Sequence, residues 1–369
     1  MKKRIFALLA IALVLVLLVP AAVSASGGLS VTGSTATVNF PASIVFTVNA
    51  RSDVNITDIR LHYTVERMEH VKIVSEIFIT FTPAKTVAAQ WMMDMRKTGG
   101  FPPGTSLDYW WTLTDAGGKT LETVPQRVNI MDERYDWQSL QEGLITLYWY
   151  EGDGAFAAEL MDATQQALGR LSENTGAEIQ NPVSIYIYAN STDLQGSMIY
   201  PQEWTGGVAF TQYSVIAIGI ATDASSLAWG KGAISHELTH LVVHQVTFNP
   251  YNGLPTWLDE GLAMYSEGPL AVYFSTALFT ALQNDTLLSV RSLTSPFSAY
   301  GDLSILSYAE SFEFVSYLIS EYGRDKMLEL LNIFSEGSGY DEALTEVYGF
   351  DMDGLNARWQ TVLTGVAAN

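Results

Sequence analysis

The sequence predicts a mixed α+β protein, with an all-β part followed by a part that contains a small sheet and many helices. Three observations predict this fold class. Residues 28–131 carry short segments of alternating apolar and polar side chains, residues 132–226 mix strand and helix patterns, and nearly everything from Leu227 to Trp359 has helical spacing. With 369 residues, of which 48% are hydrophobic, the chain is long enough for two domains with cores of their own.

The first part, residues 28–131, has the pattern of an immunoglobulin-like β-sandwich. Turn signals such as Pro102-Pro103-Gly104 and Asp115-Ala116-Gly117-Gly118 separate its apolar segments. About seven short strands within roughly 100 residues, without a long helix, are typical of that architecture. The clearest predicted strands cover residues 36–40, 44–48, 59–65, 77–81, 109–114 and 127–130.

The second part, residues 132–369, begins with strands and ends with helices. Strands are predicted at Leu144–Trp149 and Val183–Tyr188, on either side of a helix over Ala155–Leu171 whose apolar residues recur every three or four positions. Two short strands, at 208–210 and 215–220, precede the helical remainder. This order predicts a small sheet covered by helices.

The first 25 residues have the pattern of a secretory signal peptide. A positive start at residues 2–4 precedes an almost continuous apolar run over Ile5–Val19, and Val23-Ser24-Ala25 offers small residues to a signal peptidase. The apolar run is about 15 residues, shorter than the roughly 20 that a membrane span needs, which favours cleavage over retention as an anchor. We therefore expect a secreted or extracytoplasmic protein without a stable membrane span after cleavage.

The composition excludes several classes of protein. The absence of cysteine excludes a disulfide scaffold, a thiolate zinc finger and a thiol nucleophile. The net charge of -20 argues against a nucleic-acid partner, because binding phosphates needs clustered lysine and arginine. The five histidines lie at positions 62, 70, 236, 240 and 244, and three of them are close together in the sequence. A metal site would have to use histidine and carboxylate ligands.

Residues 236–240, His-Glu-Leu-Thr-His, form an HExxH motif. On a helix, positions i and i+4 place both imidazoles on one face, one turn apart, where they can hold one metal ion. Glu237 lies beside them and can take a proton from a water on that ion. At 100° per residue, Ile234 and Leu238 fall on the opposite side of the helix, which we expect to face the core.

A third protein ligand is needed if one metal position is to stay open for water. Val246 occupies the place where a third histidine would follow in a metzincin, so that pattern is excluded. A second predicted helix begins near Pro255, after a turn that lets it fold back against the first. It carries Glu260, our candidate third ligand, and Asp259, which could orient a ligand imidazole.

The HELTH sequence followed by Trp257-Leu258-Asp259-Glu260-Gly261-Leu262-Ala263 resembles the gluzincin clan of zinc peptidases, and in particular the peptidase MA-like domain family. The resemblance covers roughly residues 135–365. It implies that His236, His240 and Glu260 bind one zinc ion and that Glu237 is the general base. It also implies a zincin-like catalytic domain within residues 132–369.

Two weaker similarities accompany this motif. Tyr308, near the start of an amphipathic helix, resembles the tyrosine of gluzincin aminopeptidases that faces the zinc and stabilises the oxyanion; the alternative is that it only packs. Thr205–Phe210 resembles the edge strand on which such peptidases lay their substrate, with an interior hairpin strand as the alternative. The G-x-M-E-N motif of the aminopeptidase branch, whose glutamate holds the substrate amine, is absent, which argues against exopeptidase specificity without deciding between endo- and exopeptidase action.

The resemblance implies a secreted zinc-dependent peptidase that acts on peptide or protein substrates. A different class of function, a non-catalytic cell-surface binding module with structural zinc on a peptidase-like scaffold, is the main alternative. Zinc-dependent hydrolysis of a non-peptide bond would use the same residues. The sequence does not determine the oligomeric state or the role of the β-sandwich.

Overall fold

The computed structural model describes residues 28–203, 205–298 and 300–365, and the predicted signal peptide therefore lies outside the described residues. The mixed α+β class is confirmed, since a β-rich region precedes a region of one small sheet and many helices. In the described part of the chain, no helix is both long and apolar enough to span a membrane. The boundaries of the two predicted domains and the immunoglobulin-like type of the first remain predictions.

The β-rich region contains one network of seven strands built around a single long strand, β2. The first half of β2 pairs with β1 and β4, and its second half pairs with β3 and β5. Alternate side chains of both halves, among them Phe46 and Leu61, are fully buried in one core with Trp111. The strands are β1 (Ser30–Asn39), β2 (Ser43–Val65), β3 (Ser75–Phe78), β4 (Ala84–Asp94), β5 (Ser106–Asp115), β6 (Thr120–Glu122) and β7 (Gln126–Asn129).

The strand predictions were incomplete in this region. The segments predicted at 44–48 and 59–65 belong to one continuous strand: the exposed polar residues between them interrupt the apolar alternation, and the register with β4 shifts between Arg51 and Ile56, but the strand continues. Strand β4 was missed because two of its three buried positions, Ala89 and Met93, carry residues with weaker strand preference than Val87. Strand β6 was missed because it has three residues.

The second region is built on a five-stranded sheet with the order β11-β12-β10-β9-β8. Its three central strands are parallel, and β11 and β8 run antiparallel at the two edges. The segment at 207–210 is therefore an edge strand, and the alternative of an interior hairpin strand is wrong. The strands are β8 (Gln138–Glu142), β9 (Ile145–Trp149), β10 (Val183–Tyr188), β11 (Gly207–Phe210) and β12 (Val215–Gly219).

Helices cover one face of this sheet and form the largest core with it. Residue Gly261 allows two of them, α4 and α6, to pack backbone against backbone, since a methyl group there would lie 2.4 Å from the carbonyl oxygen of Ser311. Helix α6 is interrupted at Gly323, where φ is 80°. The helices are α1 (Gly154–Thr175), α2 (Ser191–Gln195), α3 (Ala224–Val246), α4 (Thr256–Glu267), α5 (Val272–Asn284), α6 (Gly301–Ser335), α7 (Tyr340–Tyr348) and α8 (Met352–Thr364).

The β-rich region contacts the second region near the end of β11. The backbone N–H of Met68 donates to the carbonyl oxygen of Gln212 at 2.7 Å. The ring of His70 stacks on that of Phe248, with centroids 4.2 Å apart. The two regions therefore meet beside the carboxyl ends of β11 and α3.

A buried carboxyl group on α6 gives the fold a predicted pH dependence. Glu310 is fully buried and accepts hydrogen bonds from the N–H of Leu288, and burial raises its pKa from 4.5 to about 8. Because folding favours the protonated form, this group makes the unfolding free energy fall as pH rises from about 4.5 to about 8. The fall is at most about 5 kcal/mol, at about 1.4 kcal/mol per pKa unit. Urea unfolding at several pH values measures it.

The matched comparison is between Glu310→Gln and Glu346→Gln, which changes an exposed position on α7. Glutamine at 310 keeps an acceptor for Leu288 but cannot ionise. The unfolding free energy of that variant should therefore not fall over this pH range. A Glu310→Gln variant whose pH profile matched that of Glu346→Gln and wild type would show that Glu310 does not carry the effect.

Candidate metal centre

The HExxH motif lies in the second half of α3. Asp223 caps the start of this helix by accepting hydrogen bonds from the N–H groups of Ser225 and Ser226. Ile234 and Leu238 are buried in the core, as the helical spacing predicts. The motif's two imidazoles consequently point to the other side of the helix, toward the cleft.

A tight turn brings α4 back against α3. The side chain of Asn249 fastens this turn: its Nδ2 donates to the carbonyl oxygens of Asn252 and Phe334, both at 2.9 Å, and its Oδ1 accepts from the N–H of Tyr251 at 2.8 Å. The turn is thereby fixed both within itself and to α6. Helix α4 then starts at Thr256 with Glu260 one turn inside it.

Buried hydroxyl groups fix the two helices to each other. Ser235 donates to the carbonyl oxygen of Ser266 at 2.8 Å, and Thr239 donates to the Ser266 hydroxyl at 2.6 Å. All three side chains are buried. Ser235 and Thr239 directly precede the two site histidines, and Ser266 directly precedes the last residue of α4. Their hydrogen bonds therefore set the distance between the two helices at the site.

The ligand atoms of His236, His240 and Glu260 converge. The two Nε2 atoms lie 3.2 Å apart, and Oε2 of Glu260 lies 3.4 Å from Nε2 of His236 and 3.6 Å from Nε2 of His240. A tetrahedral ion bound at about 2.05 Å separates its ligand atoms by about 3.3 Å. The three residues that the sequence predicts as ligands thus form a group that could hold one metal ion.

The carboxylate of Glu260 provides an independent test of the fit. Its Oε2 is buried and has no hydrogen-bond donor among the described residues. A buried carboxylate oxygen that accepts no hydrogen bond is costly unless a cation neutralises it. The donor set, two imidazoles and one carboxylate, is one that a divalent metal ion accepts, so the residues fit such an ion.

The outer nitrogens of both imidazoles are held by carboxylates. Asp259 lies 2.9 Å from Nδ1 of His240 through its Oδ1, and 3.1 Å from Nε2 of His244 through its Oδ2. Glu267 lies 2.7 Å from Nδ1 of His236. The contacts at Nδ1 of His236 and of His240 orient these two imidazoles so that Nε2 faces the common centre.

The charges at this site favour a cation at its centre. Burial alone would lower the pKa of His236, but the carboxylates of Glu260 and Glu267 outweigh burial and raise it to about 9. Burial would raise the pKa of Glu260, but the imidazoles of His236 and His240 lower it to about 2. The carboxylates, which include Asp259, therefore prefer positive charge between them.

Glu237 faces the cleft between α3 and β11. The N–H of Ala209 on β11 donates to its carboxylate, and burial is the main reason why its pKa is raised. A methyl group on Gly207 would lie 3.0 Å from Oε1 of Glu237, so any side chain there would crowd the carboxylate, and glycine leaves room for it beside β11. The carboxylate is thus beside the three ligand atoms without being one of them.

Tyr308 borders the same cleft from α6. It lines a central cavity of about 400 Å³ together with Glu237, Glu260 and both motif histidines. Its ring packs edge-on against Phe297, with centroids 5.1 Å apart. Burial raises the pKa of its hydroxyl, and the nearby carboxylates of Glu260 and Glu237 raise it further, so the hydroxyl keeps its proton. All five residues singled out by the sequence therefore border one cavity.

Glu267 is a site residue that the sequence analysis missed. It lies seven positions after Glu260, two helical turns further on the same face of α4, and that spacing was the available signal. The hydroxyl contacts of Ser235 and Thr239 were missed too, since nothing in the sequence distinguishes them from other small polar residues.

Loss of the Glu267 carboxylate should weaken metal binding. The Glu267→Gln variant should bind its metal about 10–100-fold more weakly, because a neutral amide orients His236 and raises its basicity less well. Competition with a chromophoric chelator measures the metal dissociation constant. The same substitution at exposed Glu173 on α1 is the control, and equal affinities of the two variants would contradict a supporting role for Glu267.

Comparison with known protein families finds one match. The model of the Peptidase MA superfamily matches residues 163–365. No curated protein matches the chain.

Several solved structures are similar to parts of the chain. An aminopeptidase N family protein from Idiomarina loihiensis is 10% identical, with 89% of this chain and 71% of that chain covered and a TM-score of 0.34. OgpA from Akkermansia muciniphila, solved in its inactive form with an O-glycopeptide substrate, is 8% identical with a TM-score of 0.22. The likeness covers 30% of this chain and 31% of OgpA, less than a third of that protein's length. At these TM-scores the likenesses carry no information about function.

Proposed function

The chain belongs to the peptidase MA superfamily, whose model covers more than half of it, and on that premise we propose that it is a zinc metallopeptidase that hydrolyses peptide bonds. The single observation that supports this proposal most is the convergence of three ligand atoms, from His236, His240 and Glu260, beside the free carboxyl group of Glu237. A metal ion that served only as a structural element would not need an ionisable carboxyl group next to it in an open cleft.

His236, His240 and Glu260 are the residues proposed to hold the zinc ion. When bound, zinc would supply Lewis acidity that activates a water and polarises the substrate carbonyl. Glu237 accepts the proton of the attacking water and passes it to the leaving amine. Its position beside the three ligand atoms, bordering the same cavity, suits both steps.

The neighbouring elements support the placement of substrate and transition state. Strand β11 has one paired edge, with β12, and its other side borders the cleft. A polypeptide that added to the free edge would gain main-chain hydrogen bonds and pass over the metal centre. Tyr308 keeps its proton and can donate a hydrogen bond to the oxyanion that develops on the substrate carbonyl.

The function is tested by the metal content of the purified full-length protein together with its action on a mixed peptide library. We expect about one zinc per chain, cleavage of peptides, and loss of cleavage with a chelator. Bound zinc without cleavage would contradict the proposal and favour a binding module on a peptidase-like scaffold. Hydrolysis of ester or glycosidic substrates only would point instead to a non-peptide bond.

Replacing the hydroxyl of Tyr308 should slow turnover while leaving metal binding intact. We expect Tyr308→Phe to reduce kcat roughly 100-fold, the loss typical of one oxyanion donor. Peptide cleavage and zinc content measure the two properties separately. Tyr273→Phe, at the exposed rim of the cleft, is the control. Full turnover of Tyr308→Phe would mean that Tyr308 only packs.

We also propose that the protein acts outside the cytoplasm. The support is the signal-peptide pattern of residues 1–25. Amino-terminal sequencing of the protein from the culture medium or the envelope should find a chain that begins after Ala25. A chain that retained Met1 and stayed in the cytoplasm would refute export.

A further inference from the structure

A second cavity continues the cleft beyond His244. It measures about 410 Å³ and is bordered by the turn between α3 and α4, by the segment after β11, and by Met68 of the β-rich region. It shares two residues, Thr211 and His244, with the cavity over the metal centre. His244 is one helical turn past His240, about 6 Å along the axis, which is about two residues of extended peptide.

The β-rich region contributes Met68, in the segment between β2 and β3, to the lining of this cavity. The N–H of Met68 bonds to the carbonyl oxygen of Gln212, directly after β11, and the stacking of His70 on Phe248 fixes the segment to the α3–α4 turn. The cavity is therefore complete only when both parts of the chain are present.

The same segment exposes an unusual amount of apolar surface. Val71, Ile73 and Val74 are 73%, 54% and 50% exposed. Single exposed aliphatic residues are common, but three within four positions at the border of a cleft are a feature of contact surfaces. This surface follows Met68 in the same segment. A substrate chain that leaves the cavity can contact it.

The lining of the cavity is polar but almost uncharged. None of the described residues that line it is aspartate, glutamate, lysine or arginine. The side chain of Gln212 is exposed and borders the cavity. Nearby, Arg67 and Glu69 neutralise each other in an ion pair of 3.2 Å. The cavity suits an uncharged stretch of polypeptide.

From these observations we infer that the cavity beyond His244 is a substrate subsite built jointly by both parts of the chain, and that it binds an uncharged stretch of polypeptide away from the scissile bond. A charged chain end would find no oppositely charged carboxylate, lysine or arginine among the described residues of the lining, so the cavity suits a stretch within the substrate chain. This inference rests on the proposed peptidase function.

The first test compares peptides that differ only in length. A peptide that the library shows to be cleaved is made with both ends blocked and about six residues on each side of the scissile bond, roughly 3.3 Å each. Two shorter versions lack about three residues from one end or from the other. The full-length protein should cleave the long peptide, and shortening from one end should lower kcat/KM by about tenfold or more.

The second test uses a pair of charge variants with a matched control. Gln212→Glu and Gln212→Lys should shift the preference between peptides that carry lysine or glutamate in the outer stretch, in opposite directions and by about fivefold. The same two substitutions at Gln141, exposed on β8 at the far edge of the sheet, should shift nothing. In Met68→Ala, the ratio of kcat/KM between long and short peptides should fall.

Each outcome decides a different claim. Equal cleavage of long and short peptides, or no preference shift in the Gln212 pair, would overturn the subsite while leaving the peptidase function intact. An unchanged long-to-short ratio in Met68→Ala, in a variant with normal thermal unfolding, would overturn the contribution of the β-rich region. Cleavage of no peptide at all would overturn the proposed function and this inference with it.

Discussion

Replacing Glu237 by glutamine is expected to abolish peptide cleavage while leaving the metal in place. Glutamine has the same shape and can still accept the hydrogen bond from the N–H of Ala209, but it cannot take a proton from water. Loss of general-base catalysis alone should reduce kcat by roughly 10²–10⁴-fold. Steady-state kinetics and zinc content, measured on the same preparation, check both halves of the prediction.

Two comparisons make this result specific. Glu346→Gln, at an exposed site on α7, should keep full turnover. The pH profile should also change: the acidic limb that reflects ionisation of Glu237 in wild type should be missing from any residual activity of Glu237→Gln. Normal turnover in Glu237→Gln would refute the assignment of Glu237 as the base.

Removing a metal ligand is expected to abolish both metal binding and turnover. Glu260→Ala leaves two imidazoles, so the ion loses its one carboxylate ligand, and activity should become undetectable at stoichiometric zinc. The fold should persist, because α4 is anchored by the buried side chains of Trp257 and Leu258. Zinc content, kinetics and thermal unfolding separate loss of metal from loss of fold.

A chelator should lower the stability of the wild-type protein but not that of the Glu260→Ala variant. The proposed function has zinc bound to the folded chain, so its removal should lower the unfolding temperature of wild type, by an amount that follows the ratio of free zinc to its dissociation constant. Glu260→Ala should show no such change. A Glu260→Ala variant that kept about one tightly bound zinc would show that the ion is held elsewhere.

The candidate site could be predicted from the sequence because most of its residues lie in two short motifs. The i, i+4 spacing of His236 and His240 on one helix fixes their geometry wherever the helix lies. Glu260 reaches the site only because α4 packs against α3. The sequence indicated this contact only through the predicted turn between the two helices and the resemblance to a known family. The fold brings these ligand atoms within 4.8 Å of one another.

What the sequence could not indicate depends on contacts between distant segments. The pairing of Glu267 with His236 spans 31 positions and requires α3 and α4 to pack at one spacing. That spacing follows from the buried hydroxyl bonds of Ser235 and Thr239 with Ser266. Periodicity reports which face of a helix is buried, but it does not report which helix covers it.

The β-rich region illustrates the same limit for strands. The central strand β2 pairs with four others, and its polar middle resembles a loop when only its own residues are considered. Its pairing comes from partners such as β4, whose weak strand preference is offset by its long register with β2. The contact of Met68 with Gln212 lies between the two regions, where local patterns carry no information.

Titration of zinc into metal-free, full-length protein, with peptide cleavage recorded at each addition, tests the central claim most directly. The claim predicts that activity is absent without metal, rises in proportion to added zinc, and reaches its plateau at about one ion per chain. Cleavage that was already complete in the metal-free protein would contradict it. So would a fully zinc-loaded protein that cleaved no peptide.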